Sequence, residues 1–505
     1  MIQHDILKSR AKWLGSAAMI VCMGMQSHAV AAAAEAAGLE EIVVTAQKRT
    51  ENVQSVPISI TAFSAATLSA KGIGNVTQLA SLTPNVTLDA GSPFSGSSNV
   101  LTAYIRGIGQ DDFAFNLEPG VGVYVDGVYL ARTVGANVNL LDVERVEILK
   151  GPQGDLFGRN TIGGAISIVT RRPSEEFHFR GEVTTGRYNR LDVKGMVDLP
   201  LAPTLLSTLT FSSNKREGYQ KRIPYPGGGA YVYDNGFHSS GTGVSGADGG
   251  QGDWTLRGKL LWKASDKLEV TLTGDYSKTD ESGMASSLLQ THATQQDGLL
   301  GTLYNTCINL PSGLLDIIGL GGICNRPRGV VGTAIGGVNA DANPNNNRLS
   351  LGDWFIAPSK DTSYATGNSF SRIKNYGGTL ILDWSLTDDL KLKSTTAYRK
   401  LDWASAMDGD SSPIAIIETS FQMKEKQFSQ ELQLTGQAMD NRLQYILGAY
   451  YFDESGNLHD FVTFDGGLLQ IDGQNLLSTK SYAGYAHINY KVTDQLSFTL
   501  GGRYT

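Results

Sequence analysis

The sequence predicts a mainly β protein, with a small N-terminal α+β domain ahead of a long antiparallel β-wall of the kind that crosses a membrane as a barrel. Three observations predict it. From residue 178 onward, apolar and polar side chains alternate with period two through eleven segments. Those segments are joined in turn by very short links and very long excursions. Residues 50–176 lack that regularity and mix short strands with two short helical runs.

Composition narrows the classes. The chain has 505 residues, 59 glycines, 20 tyrosines and a formal net charge of −7. An acidic balance without a basic stripe argues against a nucleic-acid binder. The mean hydropathy of −0.15 reads as soluble. Barrel strands also average out polar, however, because half of each strand faces a polar lumen. No run reaches the ~18 apolar residues of a membrane helix.

Residues 1–33 read as a secretory signal. Lys8, Arg10 and Lys12 are basic, Trp13 to Met25 is an apolar run too short to span, and Ser27-His28-Ala29 offers a small-residue cleavage site. Cys22 follows Val21 rather than a small residue, which argues against a lipoprotein site.

Residues 40–49, Glu-Glu-Ile-Val-Val-Thr-Ala-Gln-Lys-Arg, have the β propensity of an extended strand with nothing adjacent to pair with. One reading is a strand that adds itself to the sheet edge of another protein. The other is the first strand of an ordinary sheet.

Within 50–176, Val56 to Phe63 alternates like a strand. Ser64 to Gly72 has helical spacing and stops at glycine, and Val76 to Leu82 is a second short helix stopped by Pro84. Val121 to Tyr129 is a strand pair turned at Asp126-Gly127.

The wall segments are expected at about 178–187, 190–199, 205–214, 254–264, 267–277, 372–386, 389–401, 424–437, 441–453, 478–491 and 494–505. Ser265-Asp266, Thr387-Asp388 and Thr493-Asp494 mark short turns. Excursions at 215–253, 278–371, 402–423 and 454–477 all fall at the opposite end, as expected of periplasmic turns and extracellular loops.

Two runs, Leu140 to Gly154 and Leu156 to Thr170, resemble the plug signatures of TonB-dependent outer-membrane receptors, and 40–49 resembles their TonB box. Asp155 stands where the family usually has a small residue or threonine. The resemblance implies a signal peptide (1–33), a TonB box (40–49), a plug domain (50–176) and a partial β-barrel (177–505) that encloses the plug. Plugged transporters have about 22 strands, so about half a barrel is expected here, and residues 1–505 read as the N-terminal portion of a receptor.

The resemblance implies that Glu41, Ile42, Val43, Val44, Thr45 and Ala46 bind TonB, which works with an inner-membrane energising complex. Arg106, Glu144, Arg145, Glu147, Lys150 and Arg159 are expected to form plug-to-wall ion pairs, since enclosed charges must be paired. Gln110, Asp111, Asp112, Phe113, Phe115 and Asn116 form a polar-aromatic tip that the resemblance places against substrate; a solvated turn is the plainer reading.

Catalytic chemistry is not expected, and neither is a cofactor. The chain has no phosphate loop, zinc-protease helix or nucleophile elbow. Asp408-Gly409-Asp410 begins like a calcium loop, but Pro413 stands where an EF-hand needs glycine. Cys307 and Cys324, an even pair in an exported chain, read as a disulfide; free thiols or a two-cysteine metal site are the alternatives.

The reading is an outer-membrane receptor that binds an extracellular nutrient, a ferric siderophore first, and imports it with TonB-supplied energy. Cobalamin, carbohydrate or another bulky nutrient is the alternative within the family. A passive porin would lack 40–173, and a secreted β-rich binding protein would lack the box and the unequal loops.

Overall fold

The computed structural model describes residues 43–505 apart from 46, 50, 55, 92–93, 141, 227–245, 292–298, 325–350, 415, 465–468 and 494. The expected signal peptide, and Glu41, Ile42 and Ala46 of the expected box, lie outside the described residues.

Strand β1 (Val43–Val44) pairs with β2 (Glu51–Asn52), Val43 opposite Asn52 and Val44 opposite Glu51. The segment is therefore not the unpaired strand that the sequence suggests. A reverse turn closes it, with the Lys48 N–H donating to the Thr45 carbonyl at 2.8 Å and Lys48 in the left-handed region at φ 55°. Such local pairing is invisible to a search for a neighbouring strand pattern, because β2 is only two residues long.

Strand β3 (Ile60–Ser64) leads into α1 (Ala65–Ala70). Ser64 caps the helix by accepting from the Thr67 N–H at 3.3 Å, and Gly72, at φ 67°, ends it. The second helical run forms a 3₁₀ turn, Thr77–Leu82, rather than an α-helix. It has no side-chain N-cap bond, and so short a piece favours the tighter form.

Strands β4 (Val86–Asp89), β5 (Thr102–Ile105) and β6 (Ile108–Gln110) make one small antiparallel sheet. Strands β7 (Val121–Val125), β8 (Val128–Leu130), β9 (Val143–Lys150) and β10 (Gly164–Thr170) join β3 in a second, in the order β3-β9-β10-β7-β8. Only β10 and β7 run parallel. Asp126 and Gly127 turn β7 into β8 with φ of 50° and 84°, as a type I′ hairpin requires. Leu79, Ile105, Val146, Ile148, Ile166 and Ile168 are fully buried between these sheets and helices.

The wall is one eleven-stranded antiparallel sheet: β11 (His178–Gly186), β12 (Arg190–Ala202), β13 (Leu205–Arg216), β16 (Gln251–Ser265), β17 (Leu268–Ser282), β19 (Phe370–Ser385), β20 (Leu390–Asp408), β21 (Ile417–Ala438), β22 (Leu443–Phe464), β23 (Leu469–Lys491) and β24 (Ser497–Tyr504). Strands β11 and β24 are its edges. All eleven expected segments are strands. Their outer ends run further than expected, so 402–423 and 454–477 are mostly strand rather than loop. Between these strands, β14 (Gln220–Arg222), β15 (Ala247–Asp248) and β18 (Thr362–Ser363) form a small sheet. Helices α2 (Leu299–Asn309), α3 (Ser312–Ile317) and α4 (Gly321–Cys324) lie in the longest excursion.

Side-chain placement follows the alternation. On β16, Leu256, Leu260 and Trp262 are exposed while Lys259 and Leu261 are buried. Trp254 stacks on Tyr276 at 5.1 Å and Tyr276 on Tyr376 at 6.2 Å, a row of rings across three strands on the outer face. Apolar side chains outside, rings among them and polar groups inside suit a wall whose outer face meets lipid.

Candidate functional site: the seam between inner domain and wall

The segment after β1 is fastened at several points. The Thr45 N–H donates to Glu147 Oε1 at 2.8 Å, and the Thr45 hydroxyl lies 3.1 Å from the same oxygen. Glu147 is fully buried in the middle of β9 and also receives Arg145 Nε at 2.7 Å. Lys48 Nζ lies 2.5 Å from Glu431 Oε1 on wall strand β21, and Tyr485 of β23 donates to the same carboxylate at 2.7 Å. Arg49 donates to Gln444 at 2.8 Å.

The expected plug-to-wall ion pairs are corrected. Arg145 pairs with Glu144 at 2.6 Å and with Glu147, all on β9. Lys150 Nζ donates to the Pro84 carbonyl at 3.1 Å. Arg159 pairs with Glu118 inside the same domain and meets the wall at the Phe452 ring, 5.7 Å away, with no wall carboxylate as its partner among the described residues. Arg106 is exposed in the turn between β5 and β6. Glu144, Arg145 and Glu147 lie so close along β9 that they satisfy one another, which leaves none of them for the wall.

Other residues make the seam. Arg132 binds Glu454 through two bonds of 2.6 and 3.0 Å, both side chains buried. Arg257 reaches Asp142 at 2.6 Å, and Lys259 reaches Asp126 at 3.3 Å. Glu281 accepts from the Ser98 N–H at 2.9 Å and from its hydroxyl at 2.5 Å. Gln427 reads backbone, accepting from the Ala131 N–H at 3.0 Å and donating to the Tyr129 carbonyl at 2.7 Å. Asp155 meets His487 at 3.1 Å, and that hydrogen bond holds its carboxyl below the usual aspartate range. Lys263 does the same for Glu175. Inward polar positions on the wall carry the alternation signal, but the sequence does not say which loop residue each one meets.

The polar-aromatic tip divides. Phe113 is buried, edge-on to Trp403 at 4.9 Å and to Phe421 at 4.8 Å. Phe115 is buried under the Arg132 guanidinium at 4.9 Å. These two rings anchor the inner domain to the wall and are not available to a ligand, because edge-to-face packing of rings on apolar wall positions takes them inward. Asp112 and Asn116 are exposed, Gln110 and Asp111 half-buried, and Asp112 Oδ1 accepts from the Ala114 N–H at 2.8 Å. Nearby, a polar cleft of about 320 Å³ opens between domain and wall, lined among others by Asn99, Asn139, Asp253, Arg257, Glu281 and Asn375. In the longest excursion, Cys307 and Cys324 are bonded, their Cα atoms 5.1 Å apart, and both are buried with Leu315.

A small mixed domain stitched by buried polar bonds to the inner face of an antiparallel wall is the plan of a plugged barrel, a class of transport receptor and not of enzyme. The family description "TonB-dependent Receptor Plug Domain" matches residues 52–165, and "TonB dependent receptor-like, beta-barrel" matches 326–505. The chain belongs to the TonB-dependent receptors. The pesticin receptor of Yersinia pestis is 36% identical over 133 residues, which cover 26% of this chain and 19% of that protein. The ferripyoverdine receptor of Pseudomonas aeruginosa is 28% identical over 162 residues, covering 30% and 18%. Among solved structures, the ferric yersiniabactin uptake receptor FyuA of Yersinia pestis superposes with a TM-score of 0.60 at 18% identity, over 88% of this chain and 56% of that one. The ferripyoverdine receptor of Pseudomonas aeruginosa bound to ferripyoverdine gives 0.59 at 15%, over 91% and 53%. The chain thus spans little more than half the length of these solved relatives.

Proposed function

We propose that this protein sits in the outer membrane of a Gram-negative bacterium and imports a ferric siderophore, using energy delivered by TonB. Residues 41–46 are the segment that TonB takes, 50–176 the plug and 177–505 the part of the barrel that holds it. The observation that carries the reading is the fastening of residues 43–49 to both partners at once, to Glu147 of the plug and to Glu431 of the wall. A handle held this way keeps the passage shut until something pulls it. Buried polar bonds suit a part that must move, because water re-solvates them when they part.

The substrate class is supported by the relatives, which include a ferric yersiniabactin uptake receptor and ferripyoverdine receptors. A vitamin B12 transporter of Vibrio vulnificus, 22% identical over 201 residues, keeps cobalamin as the second reading. The test is uptake by cells carrying the gene, in iron-poor medium, of a panel of labelled ferric siderophores, with labelled cobalamin alongside. Energy-dependent uptake of at least one ferric siderophore, abolished when TonB is deleted, is expected. Uptake of cobalamin alone overturns the siderophore reading, and uptake indifferent to TonB overturns the energised one.

A further inference from the structure

Asp408, at the outer end of β20, Asp410, in the link that follows, and Glu418, on β21, bring carboxylate oxygens within 4.8 Å of one another. Asp408 and Glu418 are buried, 3% and 0% exposed. Two of the three are already held by backbone. Asp408 accepts from the N–H groups of Thr366 and Gly367 at 2.9 Å each and from that of Ser411 at 2.8 Å. Asp410 accepts from the N–H groups of Ser412, Ile416 and Ile417 at 2.9–3.0 Å.

Glu418 differs. Among the described residues, neither of its oxygens has a hydrogen-bond partner, and both are shut off from solvent. The Thr366 hydroxyl, beside the N–H that binds Asp408, is likewise buried without a partner. Gly367 makes the room: a Cβ there would collide with the Glu418 carboxylate. Arg222 lies close by, but it is bound to Asp248 at 2.9 Å and to the Gly367 carbonyl. Among the described residues, Asp248, Asp408 and Glu418 thus share the charge of Arg222. An unpaired buried carboxylate beside two others is costly, and it stays charged only if a cation supplies the missing partner.

We propose that Asp408, Asp410 and Glu418 hold a calcium ion that ties the outer excursions of the wall together. The donor set is all oxygen, which suits a hard cation, and calcium accepts irregular geometry and mixed carboxylate modes more readily than magnesium. It is not an EF-hand, in keeping with Pro413; the third carboxylate comes from the next strand. The ion would join Asp410 and the end of β20 to 364–369 through Thr366 and Gly367, and Gly367 in turn to β14 and β15 through Arg222. Extracellular calcium modules bind on the order of 0.1–1 mM, a range in which the site fills outside the cell. The proposal stands whichever substrate the receptor carries.

The experiment is calorimetric titration of the detergent-solubilised full chain with calcium after EDTA treatment, alongside thermal unfolding in EDTA and in calcium. The parent chain is expected to bind one calcium and to unfold at a higher temperature with it. Glu418→Gln breaks no hydrogen bond seen in the structure, so it is expected to fold, to bind calcium at least tenfold more weakly, and to lose the calcium-dependent rise. In EDTA it is expected to unfold no lower than the parent. Absence of saturable calcium binding by the parent overturns the proposal whatever the variant does. Undiminished binding by Glu418→Gln overturns the site.

Discussion

Lys48 and Glu431 form an ion pair of 2.5 Å across the seam, and they are 383 residues apart in the chain. One lies just past the segment proposed for TonB and the other faces inward on β21. Tyr485 shares the carboxylate, and because both side chains are largely buried, losing one partner costs more than breaking a surface bridge.

Removing one partner leaves the other charge buried. Lys48→Met is expected to weaken the docking of residues 43–49 by about 3 kcal/mol, the lower end of the range for breaking a buried pair. A cysteine placed at Val43 should then react faster with a membrane-impermeant maleimide in spheroplasts. The double variant Lys48→Met with Glu431→Gln should recover part of the loss. Unchanged labelling in the single variant would count against a role for the pair in holding the segment.

Val43→Pro is expected to abolish uptake while leaving surface binding of substrate intact. Proline removes a backbone donor and fixes φ, so the segment no longer pairs as a strand with a partner protein. Normal uptake at wild-type receptor levels would contradict the assignment of residues 41–46.

Arg132 carries the most deeply buried ion pair of the seam, with Glu454. Arg132→Met is expected to cost about 3–5 kcal/mol, because it strands Glu454 and uncovers Phe115. Adding Glu454→Gln should return more than half of it. Thermal unfolding of the four proteins in detergent measures the coupling.

The Asp155–His487 contact should respond to acid. The carboxyl of Asp155 is held below the ordinary value of 3.8, chiefly by its hydrogen bond with His487. A depressed acid stabilises the fold above its unfolded value, and that contribution is lost as pH falls through the lower folded value. The unfolding temperatures of the parent and Asp155→Asn should therefore differ above pH 3.8 and converge as pH falls well below it. A gap that widens as pH falls below 3.8 would reverse the assignment.

Cys307 and Cys324 are expected as a disulfide-linked peptide pair in mass spectrometry of the unreduced protein. Recovery of both as alkylated thiols would reject the bond and leave the rest of the fold untouched.

The strands were the legible part. Alternation reports which face a residue takes, and that is enough to place all eleven, since a slip by one residue would turn every apolar side chain inward. The signal lapses at the outer ends. Glu418, Thr419 and Ser420 are consecutive buried polar residues, so period two disappears there while the strand goes on. The seam was hidden for a different reason. That Arg145 is charged and enclosed is visible in the sequence; that it turns to Glu147, two residues on along the same face of β9, rather than to the wall is set by the packing of the domain. Phe113 read as a ligand contact because a loop aromatic between acids looks exposed, and only the rings of Trp403 and Phe421 across the seam show otherwise.

The hairpin of β1 and β2 opens at the end where Val43 faces Asn52. Tension applied upstream of Val43 therefore unzips the ladder one pair at a time instead of shearing it. Beyond Val44 the same tension meets Thr45 on Glu147, then Lys48 on Glu431, then Arg49 on Gln444. The fastenings are loaded in succession along the chain. The largest force needed is that of the strongest single bond, while the work is spread over the distance pulled, so a weak motor with a long stroke is enough to start the release.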